Sequence, residues 1–412
     1  MIEYGLLGKS LTHSFSKSIH SQIDDYDYTF IEKQEQDAKE FIKSRAFKGI
    51  NVTMPYKKTV VEFCDELSDT AKKIGCINTL INKNGKLCGY NTDYYGIIRM
   101  IEKSQIDIKD KKVLILGSGA TSDTAREAAE YLGASKITFV SRKGNIKFDD
   151  YDKFYDSEVI INGTPVGMYP DNLKTLVDIE KFNNLHGVCD VIYNPVKTRL
   201  LIEAEKKGIK TSSGLIMLVA QAIKAAELFT GKKYDANIED KIIENLKKNI
   251  SNIVIIGMPG SGKTTIGKEI SKISGKKSVD IDEIIERETG KDISQIFRDY
   301  GEEYFRQKEK EVISRIGKEN NQIISTGGGS ILDYENYLSL KQNSRIYYIK
   351  RPLDKLAVDG RPLSSGGINV LEKLYEQRHT LYENFADFEI DNDNIERTSA
   401  DIWREFNENF GA

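Results

Sequence analysis

The sequence predicts an α/β protein with parallel sheets and more than one domain, and three observations lead to this prediction. The chain has 412 residues, which is too long for one ordinary hydrophobic core and favours two or three domains. Short apolar runs alternate with helical stretches, as in a parallel doubly wound sheet. Two of these runs, VLIL at 113–116 and IVII at 253–256, lead directly into glycine-rich turns. A strand, a glycine turn and a helix in that order form a common site for phosphate groups.

The composition narrows the class of partner. Hydrophobic residues make up 39% of the chain, charged residues 30%, and the net charge is -3 with both signs interspersed. This balance gives no electrostatic attraction to nucleic acid or to anionic membranes, and it favours small-molecule partners. No basic segment followed by an apolar run stands at the N-terminus, so we expect a cytoplasmic protein. The cysteines show no CxxC or metal-ligand spacing and are expected to be reduced; they are Cys64, Cys76, Cys88 and Cys189.

The elements in order define the expected boundaries. Residues 1 to about 95 mix short apolar runs with helical stretches, and a strand–loop–helix–strand series follows. The run GLIMLVAQAIKAAELFTG and the amphipathic stretch IEDKIIENLKKNI are expected to be helices that close the first half. Residues 249–252 alone separate this half from the next strand, so the linker is very short. The expected domains are therefore 1–249 and 252–412.

The turn GMPGSGKT, residues 257–264, fits the pattern GxxxxGK[ST]. Its glycines let backbone N–H groups turn inward on the β-phosphate, Lys263 reaches the β- and γ-phosphates, and the Thr264 hydroxyl is a candidate ligand of Mg²⁺. The pattern predicts phosphoryl transfer from a nucleoside triphosphate. The residues assigned to ATP in this turn are Gly260, Ser261, Gly262, Lys263, Thr264 and Thr265.

Residues after this loop indicate the acceptor. Asp280 and Asp282 follow a strand-like stretch, and they read either as two carboxylates on one side or as a solvated helix start. The segments ETGKDISQIFRDYGEEYFRQKE, ISTGGG, GRPL and EQRHTLY resemble shikimate kinase, and the resemblance covers nearly all of 253–410. It implies a P-loop kinase domain with Mg²⁺ on Thr264 and Asp280 and with Arg361 as a lid arginine over ATP. It also implies shikimate binding by Asp282, Arg306, Gly328 and Arg378.

The lid departs from the family pattern. Arg361 is the one arginine between Arg351 and the C-terminal helix, and PLSS replaces the usual leucines. We therefore expect lid closure and ATP affinity to differ from those of the family.

The first glycine turn, GSGATS at 117–122, fits GxGxx[SA], which is a weak signal because tight structural turns share it. The following strand ends in FVSRKG, with no acid for a ribose 2′-hydroxyl. Arg142 and Lys143 stand where a 2′-phosphate would be held, which favours NADP over NAD.

Several motifs in order resemble shikimate dehydrogenase from residue 1 to about 249: GKSLTHSFSKSIH, GINVTMPYKK, IGCINTLI, GYNTDYYG, NGTPVGM, DVIYNP and GLIMLVAQA. The resemblance implies a substrate subdomain at about 1–95 plus 218–249 and a Rossmann-type NADP-binding subdomain at about 96–217. It implies catalysis by Lys57 and Asp93 and shikimate binding by Ser14, Ser16, Thr53, Asn78, Tyr193 and Gln221. The implied NADP-binding residues are Gly117, Gly119, Ala120, Arg142, Lys143 and Gly214, with Asn162, Thr164, Gly187 and Met217 as lesser candidates near the nicotinamide.

The chemistry of reduction supports the catalytic pair independently. Hydride transfer to a ketone leaves an alkoxide, which needs a proton and a nearby positive charge, and a lysine beside an aspartate supplies both. His13, His20 and His186 are the other conceivable acids, ranked below Lys57. Asp123 opens the helix after the first loop, where Lys or Arg is frequent in the family, so weaker NADP binding is expected.

The sequence thus predicts a bifunctional enzyme of aromatic amino-acid biosynthesis. Its cofactors are NADPH and Mg²⁺, with ATP as co-substrate, and its partners are 3-dehydroshikimate and shikimate. Two alternatives stay open: a metabolite-sensing regulatory protein built from inactive halves, and a first half that oxidises the related polyol quinate.

Overall fold

The computed structural model describes residues 2–11, 14–150, 153–357 and 368–409. The chain forms two compact units, Met1–Ile243 and Glu244–Ala412. The division falls within helix α8, Ile238–Ile250. No helix in the described ranges is both long and apolar enough to cross a membrane.

The first unit contains two sheets and the helices that pack on them. Its strands are β1 Ile2–Gly8, β2 Tyr28–Glu32, β3 Phe47–Val52, β4 Glu66–Leu67, β5 Thr79–Lys83, β6 Lys86–Tyr90, β7 Lys112–Leu116, β8 Lys136–Val140, β9 Val159–Asn162, β10 Gly187–Asp190 and β11 Lys210–Ser213. Its helices before α8 are α1 Ser16–Ile23, α2 Glu35–Ser44, α3 Asp69–Ile74, α4 Thr92–Lys103, α5 Ala120–Tyr131, α6 Arg199–Lys206 and α7 Gly214–Thr230.

The first sheet is mixed, with strand order β2-β1-β3-β5-β6-β4. Strands β1, β2 and β3 are parallel, whereas β5 runs antiparallel to β3 and β6. The carboxyl ends of β1, β3 and β6 and the start of β5 therefore lie at one edge. Two backbone hydrogen bonds hold the strands together at this edge, from Val52 N to Asn78 O at 2.8 Å and from Asn78 N to Tyr90 O at 3.1 Å.

The second sheet is parallel throughout, with order β11-β10-β9-β7-β8. Alternate residues of β7, an inner strand of this sheet, belong to different cores: Val113 and Ile115 to one, Leu114 and Leu116 to the other. Both faces are thus covered by helices or loops, as is usual for parallel sheets. The predicted doubly wound fold is observed here.

The second unit is built on one parallel sheet with order β13-β14-β12-β15-β16. Its strands are β12 Asn252–Ile256, β13 Lys277–Asp280, β14 Gln322–Ser325, β15 Ser344–Lys350 and β16 Phe388–Asp391. Its helices are α9 Lys263–Ser274, α10 Ile281–Thr289, α11 Ile293–Ile316, α12 Tyr334–Lys341, α13 Ile368–Phe385 and α14 Ile395–Asn409. Gly301 interrupts α11 with φ +84°, which divides it into two helical segments.

Candidate active sites

A lysine–aspartate pair lies at the edge of the first sheet where β3 and β6 end. Lys57 follows β3 in the loop, and Asp93 lies in the first turn of α4. Lys57 Nζ is 2.6 Å from Asp93 Oδ2, and the side chains are only 17% and 9% exposed. Burial by itself would lower the pKa of Lys57, but the adjacent Asp93 carboxylate outweighs it, and the pKa of the lysine is raised. The lysine therefore stays charged and fixed in direction.

Asn78 connects this pair to helix α7. Its Nδ2 donates to Asp93 Oδ1 and to Thr92 Oγ1, both at 2.9 Å, and its Oδ1 accepts from Thr92 N at 2.7 Å. Gln221 Oε1 on α7 lies 3.4 Å from Asn78 Nδ2. Helix α7 comes this close because Gly96 of α4 has no Cβ, which would lie 2.7 Å from Met217 O. Thr92 was not among the predicted site residues, and its position beside Asp93 in GYNTD was the available signal.

The other predicted substrate residues of the first unit border the same edge. Ser14 Oγ donates to Ser16 Oγ at 3.1 Å and accepts from Ser16 N at 3.2 Å, which fixes the start of α1. Thr53 follows β3, and its N donates to Leu7 O at 2.9 Å. The Tyr193 ring lies 5.7 Å from the Phe15 ring. Burial raises the pKa of Tyr193, and the charge of Lys57 partly opposes this rise, so the phenol stays protonated near the pair.

Two of the histidines considered as acids make contacts within the protein that indicate a structural role. His20 is buried, its ring stacks on Tyr28 at 3.9 Å, and its Nδ1 lies 2.6 Å from Tyr26 Oη. Burial lowers the pKa of His20 to about 3, so it is neutral and has no proton to give near neutral pH. His186 Nε2 bonds to Asp107 O at 2.9 Å. His13 lies outside the described residues.

The first glycine loop leaves open space at the start of α5. Gly117 has φ +110°, and a Cβ there would lie 2.8 Å from Ser122 Oγ, whereas a Cβ on Gly119 would meet no atom within 4 Å. Ala120 begins α5, and no side chain caps that end. Ser122 Oγ is buried and has no partner among the described residues. An uncapped helix start, an open glycine and an unpaired hydroxyl together fit an anionic pyrophosphate.

The remaining NADP candidates lie after strand β8 and at the start of helix α7. Arg142 and Lys143 are exposed directly after β8. Gly214 begins α7, where a Cβ would collide with the Val191 carbonyl.

Asp190, which was not predicted from the sequence, accepts hydrogen bonds that hold the loops after β9 and β10 in place. It accepts from Asn162 Nδ2 at 3.0 Å, from Thr198 Oγ1 at 2.6 Å and from Ile192 N at 3.1 Å. Burial raises its pKa to about 6 although these bonds favour the carboxylate. Thr164 Oγ1 donates to Asn162 Oδ1 at 2.7 Å, so two lesser candidates meet at this edge. Gly187 does not, because it lies at the amino end of β10 and packs against Ile106.

The second glycine loop holds its polar groups around the start of α9. Lys263 Nζ donates to Gly257 O at 2.8 Å and to Met258 O at 2.9 Å. Gly260 and Gly262 have φ +80° and +97°, which L-residues rarely adopt. Ser261 Oγ is buried without a partner among the described residues. Thr265 is exposed in the first turn of α9.

The candidate Mg²⁺ residues are in direct contact. Thr264 Oγ1 donates to Asp280 Oδ2 at 2.6 Å, and Asp280 also caps α10. No three His, Cys, Asp or Glu side chains converge on a metal position in the described parts of the chain. The Thr264 hydroxyl and the Asp280 carboxylate are oxygen groups of the kind that Mg²⁺ prefers as ligands.

The predicted shikimate residues of the second unit surround the glycines at 327–329. A Cβ on Gly327 would lie 2.9 Å from Asp282 Oδ1, and one on Gly329 would collide with the Arg306 guanidinium. Arg378 Nη1 donates to Gly328 O at 3.2 Å, while its buried Nε has no partner among the described residues. Asp282 Oδ1 is also buried and unpaired within the described part of the chain. A ligand with both a carboxylate and hydroxyls would satisfy these groups.

Three further residues support this pocket and were missed from the sequence. Glu309 is fully buried and accepts from Arg306 Nη1 at 2.8 Å and from Ser330 Oγ, while Tyr382 Oη donates to Gly328 O. Their positions are set by tertiary packing, which the local sequence does not reveal. Arg361 lies outside the described residues.

Comparison with known proteins identifies relatives of both units. Residues 6–80 match the family model of the shikimate dehydrogenase substrate binding domain, and residues 259–408 match that of shikimate kinase. The shikimate dehydrogenase (NADP(+)) of Clostridium perfringens strain SM101 is 36% identical over 265 residues, which cover 59% of this chain and 98% of the relative. The crystal structure of shikimate dehydrogenase 1 from Peptoclostridium difficile has a TM-score of 0.55 at 35% identity, covering 60% of this chain and 98% of that one. The Thermus thermophilus enzyme in complex with NADP(H) and shikimate has a TM-score of 0.54 at 26% identity, covering 60% and 99%.

Proposed function

The chain belongs to the shikimate dehydrogenase family over about 60% of its length and carries a shikimate kinase domain at residues 259–408, and we propose that it catalyses two consecutive reactions of the shikimate pathway. The first unit reduces 3-dehydroshikimate to shikimate with NADPH. The second transfers the γ-phosphoryl group of ATP to the 3-hydroxyl of shikimate. One observation carries the proposal: each phosphate-type loop shares its unit with a polar cluster suited to its own reaction.

In the reduction, the residues of the first sheet edge hold the substrate and supply a proton. NADPH, bound at the loop 117–122, supplies the hydride. Lys57 donates its Nζ proton to the carbonyl oxygen as negative charge develops there, and Asp93 keeps the ammonium oriented. Asn78 holds the second Asp93 oxygen, which prevents the carboxylate from rotating away. Tyr193 and Gln221 supply hydrogen bonds to the hydroxyl groups.

In the phosphoryl transfer, the second unit fixes the acceptor in line with the nucleotide. Arg306 and Arg378 pair with the shikimate carboxylate, and Asp282 accepts the proton of the attacking hydroxyl. Lys263 and the N-terminus of α9 offset charge on the β- and γ-phosphates. Thr264 and Asp280 would hold Mg²⁺, which adds charge neutralisation.

Two lysine substitutions test the proposal on the full-length protein. Lys57→Ala is expected to lower NADPH oxidation with 3-dehydroshikimate by about 100-fold or more, because the general acid is removed, and to leave phosphorylation of added shikimate unchanged. Lys263→Ala is expected to lower phosphorylation by about 100-fold or more and leave the reduction unchanged. The measurements are initial rates of NADPH oxidation and of ADP release.

Matched controls are Lys48→Ala and Lys272→Ala, which remove exposed lysines of the same units. Loss of both activities in either active-site variant would contradict two independent sites. Binding of the metabolites without turnover in the unmodified protein would favour the sensor alternative instead. Quinate assayed beside shikimate tests the alternative substrate of the first unit.

A further inference from the structure

Arg351 stands beside the second glycine loop and is assigned no role in the reaction so far. It is the first residue after β15, which pairs with β12 from Asn252–Ser344 to Ile256–Tyr348. Because the two strands are parallel, β12 leads into the loop 257–262 at the same edge where β15 leads into Arg351. A Cβ on Gly257 would lie 2.7 Å from Ile349 O, which shows how closely the two segments run.

The Arg351 guanidinium reaches the end of the loop. A Cβ on Gly262, the residue that precedes α9, would lie 3.9 Å from Arg351 Nη1. Arg351 is only partly exposed, and its Nε is buried without a hydrogen-bond partner in the described part of the chain.

Two other arginines of this unit have acidic partners. Arg345 pairs with Glu405, and Arg306 pairs with Glu302 and Glu309. No ion pair of Arg351 is found among the described residues. A partly buried guanidinium without a partner costs free energy, so an anion from outside the chain would stabilise it.

The polar groups around Gly262 favour a phosphate as that anion. The guanidinium lies near Gly262, the residue at the start of α9, and no side chain caps that helix start, so its first N–H groups have no side-chain partner. Asn392 Nδ2 is already used in a bond to Ser261 O at 2.7 Å, whereas Ser261 Oγ is unpaired within the described residues. A planar cation, a helix N-terminus and a free hydroxyl together match phosphate oxygens.

On the basis of the proposed kinase function, we propose that Arg351 is a direct ligand of the nucleotide, contacting a phosphate oxygen at the Gly262 end of the loop. Arg351 supplies its guanidinium from the end of β15, which lies beside β12 in the sheet.

Nucleotide binding by full-length Arg351→Gln tests this assignment. Dissociation constants for ATP, ADP and adenosine are measured with Mg²⁺ by titration calorimetry, with saturating NADP⁺ present so that the dinucleotide site of the first unit does not contribute. We expect the constants for ATP and ADP to rise about 10-fold or more, because a charge-assisted hydrogen bond is lost, and the constant for adenosine to stay unchanged. The salt dependence of ATP binding should also weaken. Arg397→Gln, which removes an exposed arginine of the same unit, should change none of these values.

Each outcome decides the proposal. Unchanged ATP and ADP constants in Arg351→Gln would overturn it. Equal weakening of ADP and adenosine would place the contact on the base, since guanidinium groups also stack on aromatic rings, and would overturn the phosphate assignment. An unmodified protein that does not bind ATP would refute the proposed kinase function itself. Thermal unfolding of Arg351→Gln separates misfolding from ligand loss, because removing an unpaired cation is not expected to lower the midpoint.

Discussion

At the residue scale, Asp282 lowers the stability of the fold when it is ionised, although the proposed reaction needs its ionised form. Its Oδ1 is buried without a partner among the described residues. Burial, followed by the charges of Asp280 and Glu309, raises the pKa of Asp282 to about 7, although Lys263 and Arg306 oppose the rise. The pKa in the folded state is above the unfolded value of 3.8. The ionised carboxylate therefore destabilises the fold, with a cost that is absent below pH 3.8, grows as pH rises and is complete above about 7.

This conflict predicts a variant that is more stable and less active. Asp282→Asn should raise the free energy of unfolding of the second unit at pH 8, by on the order of a few kcal/mol at most, and the gain should shrink towards pH 4. Phosphorylation of shikimate should fall by about 100-fold or more, because the proposed proton acceptor is lost. In the unmodified protein, kcat/KM for phosphorylation should rise with pH through about 7. Denaturant unfolding and initial rates across pH measure both effects.

Asp299→Asn is the control, since this exposed carboxylate pairs with Lys291 and lies outside the pocket. A lower unfolding free energy for Asp282→Asn at pH 8 would contradict the prediction.

Candidate site residues inside recognisable motifs could be predicted from the sequence, whereas residues whose position depends on tertiary packing could not. Lys57 and Asp93 lie 36 positions apart, and their motifs predicted the contact that the structure has at 2.6 Å. Asp190 and Glu309 went unnoticed because an acid is normally exposed, and only the fold reveals that these two are buried beside their donors.

At the element scale, helix α5, which follows strand β7 of the second sheet, makes ion pairs with residues that follow strands of the first sheet. Asp123 and Glu127 lie one turn apart on α5 and pair with Lys58 at 3.2 Å and with Lys73 at 2.9 Å. The sequence predicted that Asp123 would oppose a pyrophosphate at this helix N-terminus. The structure adds Lys58, the neighbour of Lys57, as a partial counter-charge.

The acidic start of α5 therefore predicts a gain of affinity on substitution. Asp123→Asn should lower the dissociation constant of NADP⁺ about 2- to 5-fold at low salt, because an exposed charge near a helix terminus contributes about 0.3–1 kcal/mol. Lys58→Gln should raise it by a similar factor, since Asp123 is then left uncompensated. Titration calorimetry at low and high salt measures the effect, which should fade as salt screens it. Glu130→Gln, near the other end of α5, is the control, and unchanged affinity in both test variants would refute the electrostatic account.

Element types followed from periodicity, whereas their pairing did not. The run GLIMLVAQAIKAAELFTG predicted α7 by its length and composition, and the amphipathic stretch IEDKIIENLKKNI predicted α8 by the helical spacing of its apolar residues. The β5–β6 hairpin was missed, although Asn84 and Gly85, with φ +54° and +88°, are a typical hairpin signal. The helical segment before Gly301 was also missed, because the glycine marks a break without showing that a helix precedes it.

At the scale of the whole molecule, the two loops and the chain length predicted two nucleotide-binding parts, and the structure has two compact units. The expected boundary was the linker at 249–252, whereas the division falls between Ile243 and Glu244 within α8. Helical periodicity shows that a helix continues but not which core covers each of its turns. The sequence therefore located the helix but assigned all of it to the first domain, whereas the structure divides it between the two units.

Hydrogen exchange on the full-length protein tests which ligands each unit binds. A ligand that binds only the native state slows the opening of the segments that it contacts. NADP⁺ should protect the amides of 117–125, and Mg·ATP those of 257–265. Shikimate should protect two separate regions, 53–57 in the first unit and 327–330 in the second, because it is the product of one reaction and the substrate of the other. Helix α2 carries no assigned residue and should be unaffected by all three ligands. Protection by shikimate in one unit alone would contradict the consecutive reactions, since a shared metabolite needs a site in each half.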